Sequence, residues 1–285
     1  MEKSAIKPQL GLFDLTVIVV GLIIGMGIFR TPTEVASKSV LPEIFFLAWI
    51  TGAIISFIGA LTFAEIGSRY PVAGGFYKIF SHCYHPAFAF MVNWITVISN
   101  AASTAGVAIM GAEYIAPILF PKLSPSISIQ LITLFSVAVL FFVNLRGIRI
   151  SAKVLTGLMF IKVGMILLLI AAMFFIPPAK NVEAVVPSTF SDTDYLKAFL
   201  VCFIPVFFTY GGYQQTMNFG GDIKDARRTL PKAVFLGISI VLFLYLAVNF
   251  AYFRVLGFSG LQQTATPAAV ITGKLFGSFA HQLVS

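Results

Sequence analysis

Long apolar runs alternate with short polar connections along nearly the whole chain. The runs are about 18–30 residues long and almost free of charge. That length suits helices that cross a bilayer, not the alternating strands of a membrane barrel. The pattern predicts spans at about 13–29, 43–67, 86–118, 126–143, 153–176, 196–219 and 231–253, and the start of an eighth from Pro267 onward. Two of these runs are interrupted by glycine. The first contains Gly21, Gly25 and Gly27, and the sixth contains Gly211 and Gly212. Glycine weakens a helix and permits an unwound backbone. Within lipid, unwound backbone survives only where protein buries it or a polar cavity receives it. Interruptions at corresponding places in two halves of a membrane chain are a pointer to a transport site. The same glycines would also serve close helix packing, and the Gly21–Gly25 spacing fits that reading.

Composition supports the membrane assignment. Of the 285 residues, 58% are hydrophobic and 11% are charged, with a mean hydropathy of +0.94. A soluble domain carries about 25% charged residues. The first apolar run lacks a small-residue cleavage site and leads straight into further spans, so no cleavable signal peptide is expected. Cys83 falls in a connection and Cys202 in a span, which is no disulfide framework.

The net charge of +8 could suggest nucleic acid, but its distribution follows the connections between spans. Lys3, Lys7, Arg69, Lys78, Arg146, Arg149, Lys153, Lys224, Arg227, Arg228 and Lys232 fall on one side. Arg30, Lys38, Lys122, Lys180, Lys197 and Arg254 fall on the other. The richer side is expected to be cytoplasmic, which places the N-terminus inside and the 177–195 connection, with Glu183, Asp192 and Asp194, outside. The protein is therefore expected to be a multi-pass protein of the plasma or inner cell membrane, with no nucleic-acid partner.

Four segments carry a family resemblance: Val20–Phe29, Gly59–Phe80, Asn144–Gly164 and Phe207–Ala233. In this order they resemble the amino acid–polyamine–organocation superfamily, and within it the amino acid permeases. The match runs through essentially the whole chain. It implies an all-α, LeuT-like five-plus-five inverted-repeat fold whose helices 1 and 6 are broken. One transmembrane domain would cover 1–285, with the first repeat at about 10–176 and part of the second at about 195–285. Relatives have at least ten core helices, so the chain is expected to be a partial permease. The implied activity is secondary amino acid transport by alternating access, proton-coupled or by exchange, with no enzymatic step and no cofactor. The alternative is a fragment or interaction subunit that keeps only part of the substrate site.

The resemblance also implies a site. A broken helix bares N–H groups at one half-helix start and C=O groups at the other half-helix end. These suit the two charges of a zwitterionic amino acid. The N–H groups of Gly25, Met26 and Gly27 would hold the carboxylate. Carbonyls near Ile23 and of Phe208 and Gly211 would accept from the ammonium, and Phe208 would lie over the substrate as a lid. Many relatives carry Gly-Ser-Gly where this chain has Gly25-Met26-Gly27. Met26 brings no hydroxyl and fills volume, which points to smaller or apolar substrates.

Lys162 lies near the middle of the fifth span, where a charge is costly and marks a functional position by default. In some relatives a lysine here stands in for a sodium ion beside the first break, and such a lysine could carry a proton. Snorkelling to the interface is the alternative. Asn93, Thr96, Asn100, Ser103 and Thr104 form a polar stripe on the third span, either lining a substrate path or bonding neighbouring helices. Tyr210 and Tyr213 either gate the second break or pack as ordinary aromatics.

Glu65 and Arg69, four residues apart, are expected to pair. Asp222 with Arg227, Arg228 and Lys232 reads as an inner-face charge network or, more simply, as charges that only set the topology. His82-Cys83-Tyr84-His85 reads as a connecting segment, since two imidazoles without further ligands do not make a metal site. A membrane enzyme would need paired carboxylates, a nucleophile with its base, or a metal cluster within the spans, and the intramembrane ionisable groups are too few and scattered for that.

Overall fold

The computed structural model describes residues 10–72, 74–145, 148–179 and 192–277, without side-chain detail at 148–153 and 192. Lys3, Lys7, Arg146, Lys180 and Glu183 lie outside the described residues, as do the side chains of Arg149, Lys153 and Asp192. Without water in a bilayer core, backbone groups must bond within their own segment, so apolar runs of this length fold as helices. The described helices are α1 (Leu12–Ile23), α2 (Gly27–Ser39), α3 (Pro42–Arg69), α4 (Gly75–Cys83), α5 (Pro86–Leu119) and α6 (Pro125–Leu145). They continue as α7 (Ile148–Phe175), α8 (Asp192–Tyr210), a 3-10 helix (Tyr213–Asp222), α9 (Ala226–Leu256), α10 (Phe258–Gln263) and α11 (Pro267–Phe276). Among the described residues, six helices can cross a membrane by length and hydropathy, or seven when α1 and α2 count as one broken span. The chain is thus an all-α integral membrane protein.

The chain divides into two compact units, and two of the five division points fall at the glycine breaks. One comprises Met1–Ile23, Ile55–Gly106 and Gly211–Val241; the other comprises Ile24–Ile54, Val107–Tyr210 and Leu242–Ser285. In the first unit the first turn of α1 carries Asp14, whose carboxylate accepts the Gly11 N–H at 3.0 Å. A short parallel bridge ties this start to the end of the 3-10 helix, through Leu10 N–H to Asp222 O at 2.9 Å and Lys224 N–H to Leu10 O at 3.0 Å. Small residues let the helices of this unit approach. Gly237 of α9 lies against Val19 of α1, and Gly67 of α3 lies against Leu230 of α9.

In the second unit α2 packs along α8 and α10 packs on α2. Gln262 Nε2 donates to Ala36 O at 3.1 Å, and Thr33 Oγ1 donates to Thr264 O at 2.7 Å. Gly52 of α3 admits Val206 of α8. The aromatic core holds Trp49, Tyr210, Tyr245 and Phe45, all fully buried. By contrast, α5, α6 and α7 turn large apolar side chains outward. Leu134, Phe135, Phe174 and Phe175 are each exposed by two thirds or more. Such a surface is a liability in water and an ordinary one against lipid tails.

Three expectations are corrected. The first span does not end at Phe29; its second half continues as α2 to Ser39. The continuation is polar enough to escape a hydropathy reading, yet Ile28, Pro32, Val35 and Ala36 bury one face of it. Arg30 and Lys38 therefore stand on a helix and not in a connection, with Lys38 paired to Glu34 and Arg30 to Glu113. The segment before His85 is not a loop, because Gly75–Cys83 forms α4. Its start turns through Gly74 at φ +108°, and the next residue, Gly75 at φ +43°, lies against the Asn218 side chain. Arg254, expected just past the seventh span, sits inside α9.

Candidate functional site

At the first break, α1 stops at Ile23 and helix resumes at Gly27, leaving Ile24, Gly25 and Met26 outside both. Ile23 and Ile24 are buried, while Gly25, Met26 and Gly27 are half-buried. The end of α1 presents carbonyls and the start of α2 presents N–H groups. The Met26 side chain makes no capping hydrogen bond to the first turn of α2. Two glycines of this run serve different ends. A methyl group on Gly27 would come within 2.9 Å of Thr209 Oγ1, so Gly27 is small for packing on α8. Around Gly25 nothing lies within 4 Å of the same position. Close packing therefore explains Gly27 and does not explain Gly25.

Lys162 reaches this break. Its half-buried side chain donates from Nζ to the Ile24 carbonyl at 2.9 Å. One carbonyl of this short segment is thus held by a side chain from another helix.

At the second break, α8 stops at Tyr210 and the chain turns through Gly211 and Gly212 into the 3-10 helix. Gly212 has φ +114°, in the left-handed region. A methyl group there would also stand 2.2 Å from the Leu22 carbonyl oxygen. Only glycine satisfies both the dihedral angle and the approach to α1. The Gly212 N–H is taken by Gln214 Oε1 at 2.9 Å, and its carbonyl accepts from the Gln215 N–H at 3.0 Å. Each unit on its own therefore packs one broken span against the other: the Leu22 carbonyl against Gly212, and Gly27 against Thr209.

The remaining expected residues divide. Phe208 lies in the last turn of α8 and is 58% exposed, while Gly211 is half-buried. Tyr210 is buried, donates to Trp49 O at 3.4 Å and packs edge-on to the Trp49 ring at 5.6 Å. Tyr213 is half-buried, with its ring 5.9 Å from that of Phe63 and its hydroxyl against Gly59. On α5, the Thr96 and Thr104 hydroxyls bond carbonyls of their own helix, at Val92 and Asn100. Asn93 is exposed; Asn100 accepts from Gln215 Nε2 at 3.5 Å, which joins the polar stripe to the 3-10 helix.

Away from the breaks, Glu65 and Arg69 do pair. Among the described residues no ion pair joins Asp222 to Arg227, Arg228 or Lys232. Asp222 instead contributes its backbone carbonyl to the bridge with Leu10. His82 lies against Tyr70 and His85 Nδ1 accepts the Ala87 N–H. Tyr245, Trp49, Thr209, Gln214 and Gln215 escaped sequence reasoning. A tyrosine within an aliphatic span and a threonine before a glycine pair carry no periodic signal, so only the packing reveals them.

Broken, mutually packed apolar spans with an intramembrane lysine at one break define the class: a polytopic membrane protein built around interrupted helices, in keeping with the LeuT-like fold. Residues 10–285 match the amino acid permease family model, and the chain belongs to that family. It is 27% identical to the serine/threonine exchanger SteT of Bacillus subtilis, over 100% of this chain and 64% of that protein. It is 27% identical to the mouse large neutral amino acids transporter small subunit 2, over 97% of this chain and 53% of that protein. The human cystine/glutamate transporter is 27% identical over 98% of this chain and 56% of its own length. The chain spans about half to two thirds of the length of these relatives.

Proposed function

We propose that the chain forms the broken-helix part of the substrate site of a secondary amino acid transporter that works by alternating access. The carrying observation is the first break: an α2 start that Met26 leaves uncapped, with open space beside Gly25 and the Lys162 ammonium on the neighbouring Ile24 carbonyl. The substrate carboxylate binds the N–H groups of Gly25, Met26 and Gly27. The α-ammonium binds carbonyls near Ile23 and of Phe208 and Gly211, and Phe208 closes over the substrate. The relatives' names span hydroxylated, large neutral and acidic side chains. What those amino acids share is the charged pair on the α-carbon, the part that two opposed helix ends recognise.

Lys162 supplies the fixed positive charge beside the break and couples uptake to protons or sets the exchange cycle. The first repeat occupies about 10–176, part of the second about 195–285, and the N-terminus faces the cytoplasm. Asn93, Asn100, Tyr210 and Tyr213 flank the path. The test is radiolabelled uptake into proteoliposomes across neutral, cationic and acidic amino acids. Saturable uptake of at least one of them, competed by its unlabelled form, supports the reading. Binding without uptake by these 285 residues supports instead an interaction subunit that holds part of the site. Absence of both overturns the transport assignment.

A further inference from the structure

Away from both breaks, the second unit holds a groove of about 280 Å³ where α5 ends and α6 begins. That approaches the lower end of small-ligand sites, about 300 Å³. Its lining includes Glu113, Pro117, Phe120, Leu123, Pro125 and Ser128. What polar capacity it leaves spare belongs to acceptors. The Phe120, Leu123 and Ser128 N–H groups already bond carbonyls of their own segment. Ser128 spends its hydroxyl hydrogen on the Ser124 and Pro125 carbonyls, both at 3.1 Å. The prolines have no N–H, and Pro117, inside α5, deprives the Glu113 carbonyl of its usual helical donor. Arg30 takes the Glu113 carboxylate through Oε2, at 3.1 Å; among the described residues Oε1 receives no hydrogen bond. A mostly apolar groove with spare acceptors and one carboxylate suits an ammonium on an apolar body.

The place of the groove narrows the ligand. Both α5 and α6 are long and apolar enough to cross a membrane, so their shared end stands at the level of lipid headgroups. Leu119, Ile127 and Leu131 nearby are each more than half exposed, a surface for acyl tails. We propose that this groove binds a phospholipid with a primary ammonium headgroup, phosphatidylethanolamine. The ammonium donates to Glu113, through carboxylate Oε1 and the carbonyl that Pro117 leaves open. The adjoining phosphate meets Arg30, already beside Glu113, and the exposed Lys122, set between the lining residues Pro121 and Leu123. A choline headgroup has no N–H to give these acceptors. A glycerol headgroup brings no cation for Glu113 and sets its phosphate near a carboxylate, where like charges repel. The Arg30–Glu113 pair joins α2 to α5, so a bound ethanolamine headgroup braces that contact.

The experiment titrates the purified chain with dioleoyl phosphatidylethanolamine, phosphatidylcholine or phosphatidylglycerol and reads bound lipid by native mass spectrometry. The ethanolamine lipid is expected to bind about fivefold or more tightly than the choline lipid, the scale of one charge-assisted hydrogen bond near the surface. The glycerol lipid is expected to bind no more tightly than the choline lipid, and Glu113→Gln is expected to erase the ethanolamine preference. A smaller preference in the parent protein overturns the proposal. So does tighter binding of the glycerol lipid than of the choline lipid, which marks a merely basic surface. A preference that Glu113→Gln retains overturns it too. Should Glu113→Gln not fold, Leu123→Trp crowds the groove from an exposed position and is expected to weaken binding of the ethanolamine lipid alone. Ethanolamine-lipid binding that Leu123→Trp leaves unmoved overturns the proposal as well.

Discussion

Lys162 Nζ sits 2.9 Å from the carbonyl oxygen of Ile24, a residue 138 positions earlier in the chain. The carbonyl belongs to the first residue past the end of α1, where no helical donor is available to it. The lysine thus supplies a donor that the broken backbone lacks, and it places a cation beside the break. Removing only the charge or the donor should therefore reach the transport cycle before it reaches the fold. In the full-length protein Lys162→Ala should reduce uptake about tenfold or more and flatten its pH profile between about pH 5 and 8. Uptake measured across that range checks it, and an unaltered profile removes the proton role.

The glycines of the breaks should separate under substitution. Gly212→Ala meets both a left-handed backbone and the Leu22 carbonyl oxygen 2.2 Å away. The dihedral alone costs about 1–2 kcal/mol, before the clash. Its melting temperature in detergent should fall by several degrees, with uptake lost alongside.

Gly25→Ala has open space around the new methyl group. Its thermal stability should remain close to the parent's, while amino acid affinity should fall if the methyl stands at the proposed carboxylate site. Thermal melts paired with a binding isotherm distinguish it from Gly212→Ala. A parallel loss of stability in both variants would show that Gly25 is a packing residue after all.

Gly27 offers a graded case. Its position faces Thr209 Oγ1 at 2.9 Å and the Thr209 backbone at 3.2 Å. Gly27→Ala requires a small shift, and Gly27→Leu requires α2 and α8 to separate. The second should destabilise by at least about 1–3 kcal/mol, the usual cost of overpacking. Pairing Gly27→Ala with Thr209→Ser, which removes one of the crowded methyl groups, should recover part of the loss.

Arg30 and Glu113 pair at 3.1 Å, each side chain a little under half exposed. Outside the membrane core, such a pair is worth about 0–1 kcal/mol. Glu113→Gln should therefore leave the melting temperature nearly unchanged and lose any residual effect at high salt. A drop of several degrees would show that the pair holds α2 to α5 more firmly than its exposure implies.

Much of this architecture was readable from the chain. The apolar runs marked the spans because lipid leaves a backbone no alternative to bonding within its own helix. The glycine pairs marked both breaks, and Lys162 stood out because an intramembrane charge demands a partner. The second half of the first span was missed. Its buried face alternates with Thr33, Glu34 and Lys38, so averaged hydropathy hides it. The α4 helix was missed because nine residues beside a left-handed glycine look like a connection.

Sequence alone determined that the protein spans a membrane, where its helices are interrupted and which cation lies within them. Each of those follows from local composition and the energetics of lipid. Only the tertiary structure decided which glycine is small for packing and which leaves room, that Lys162 meets Ile24, and that Thr209 meets Gly27. Those depend on helices far apart in the chain arriving side by side. A pattern confined to one helix holds no record of its neighbour.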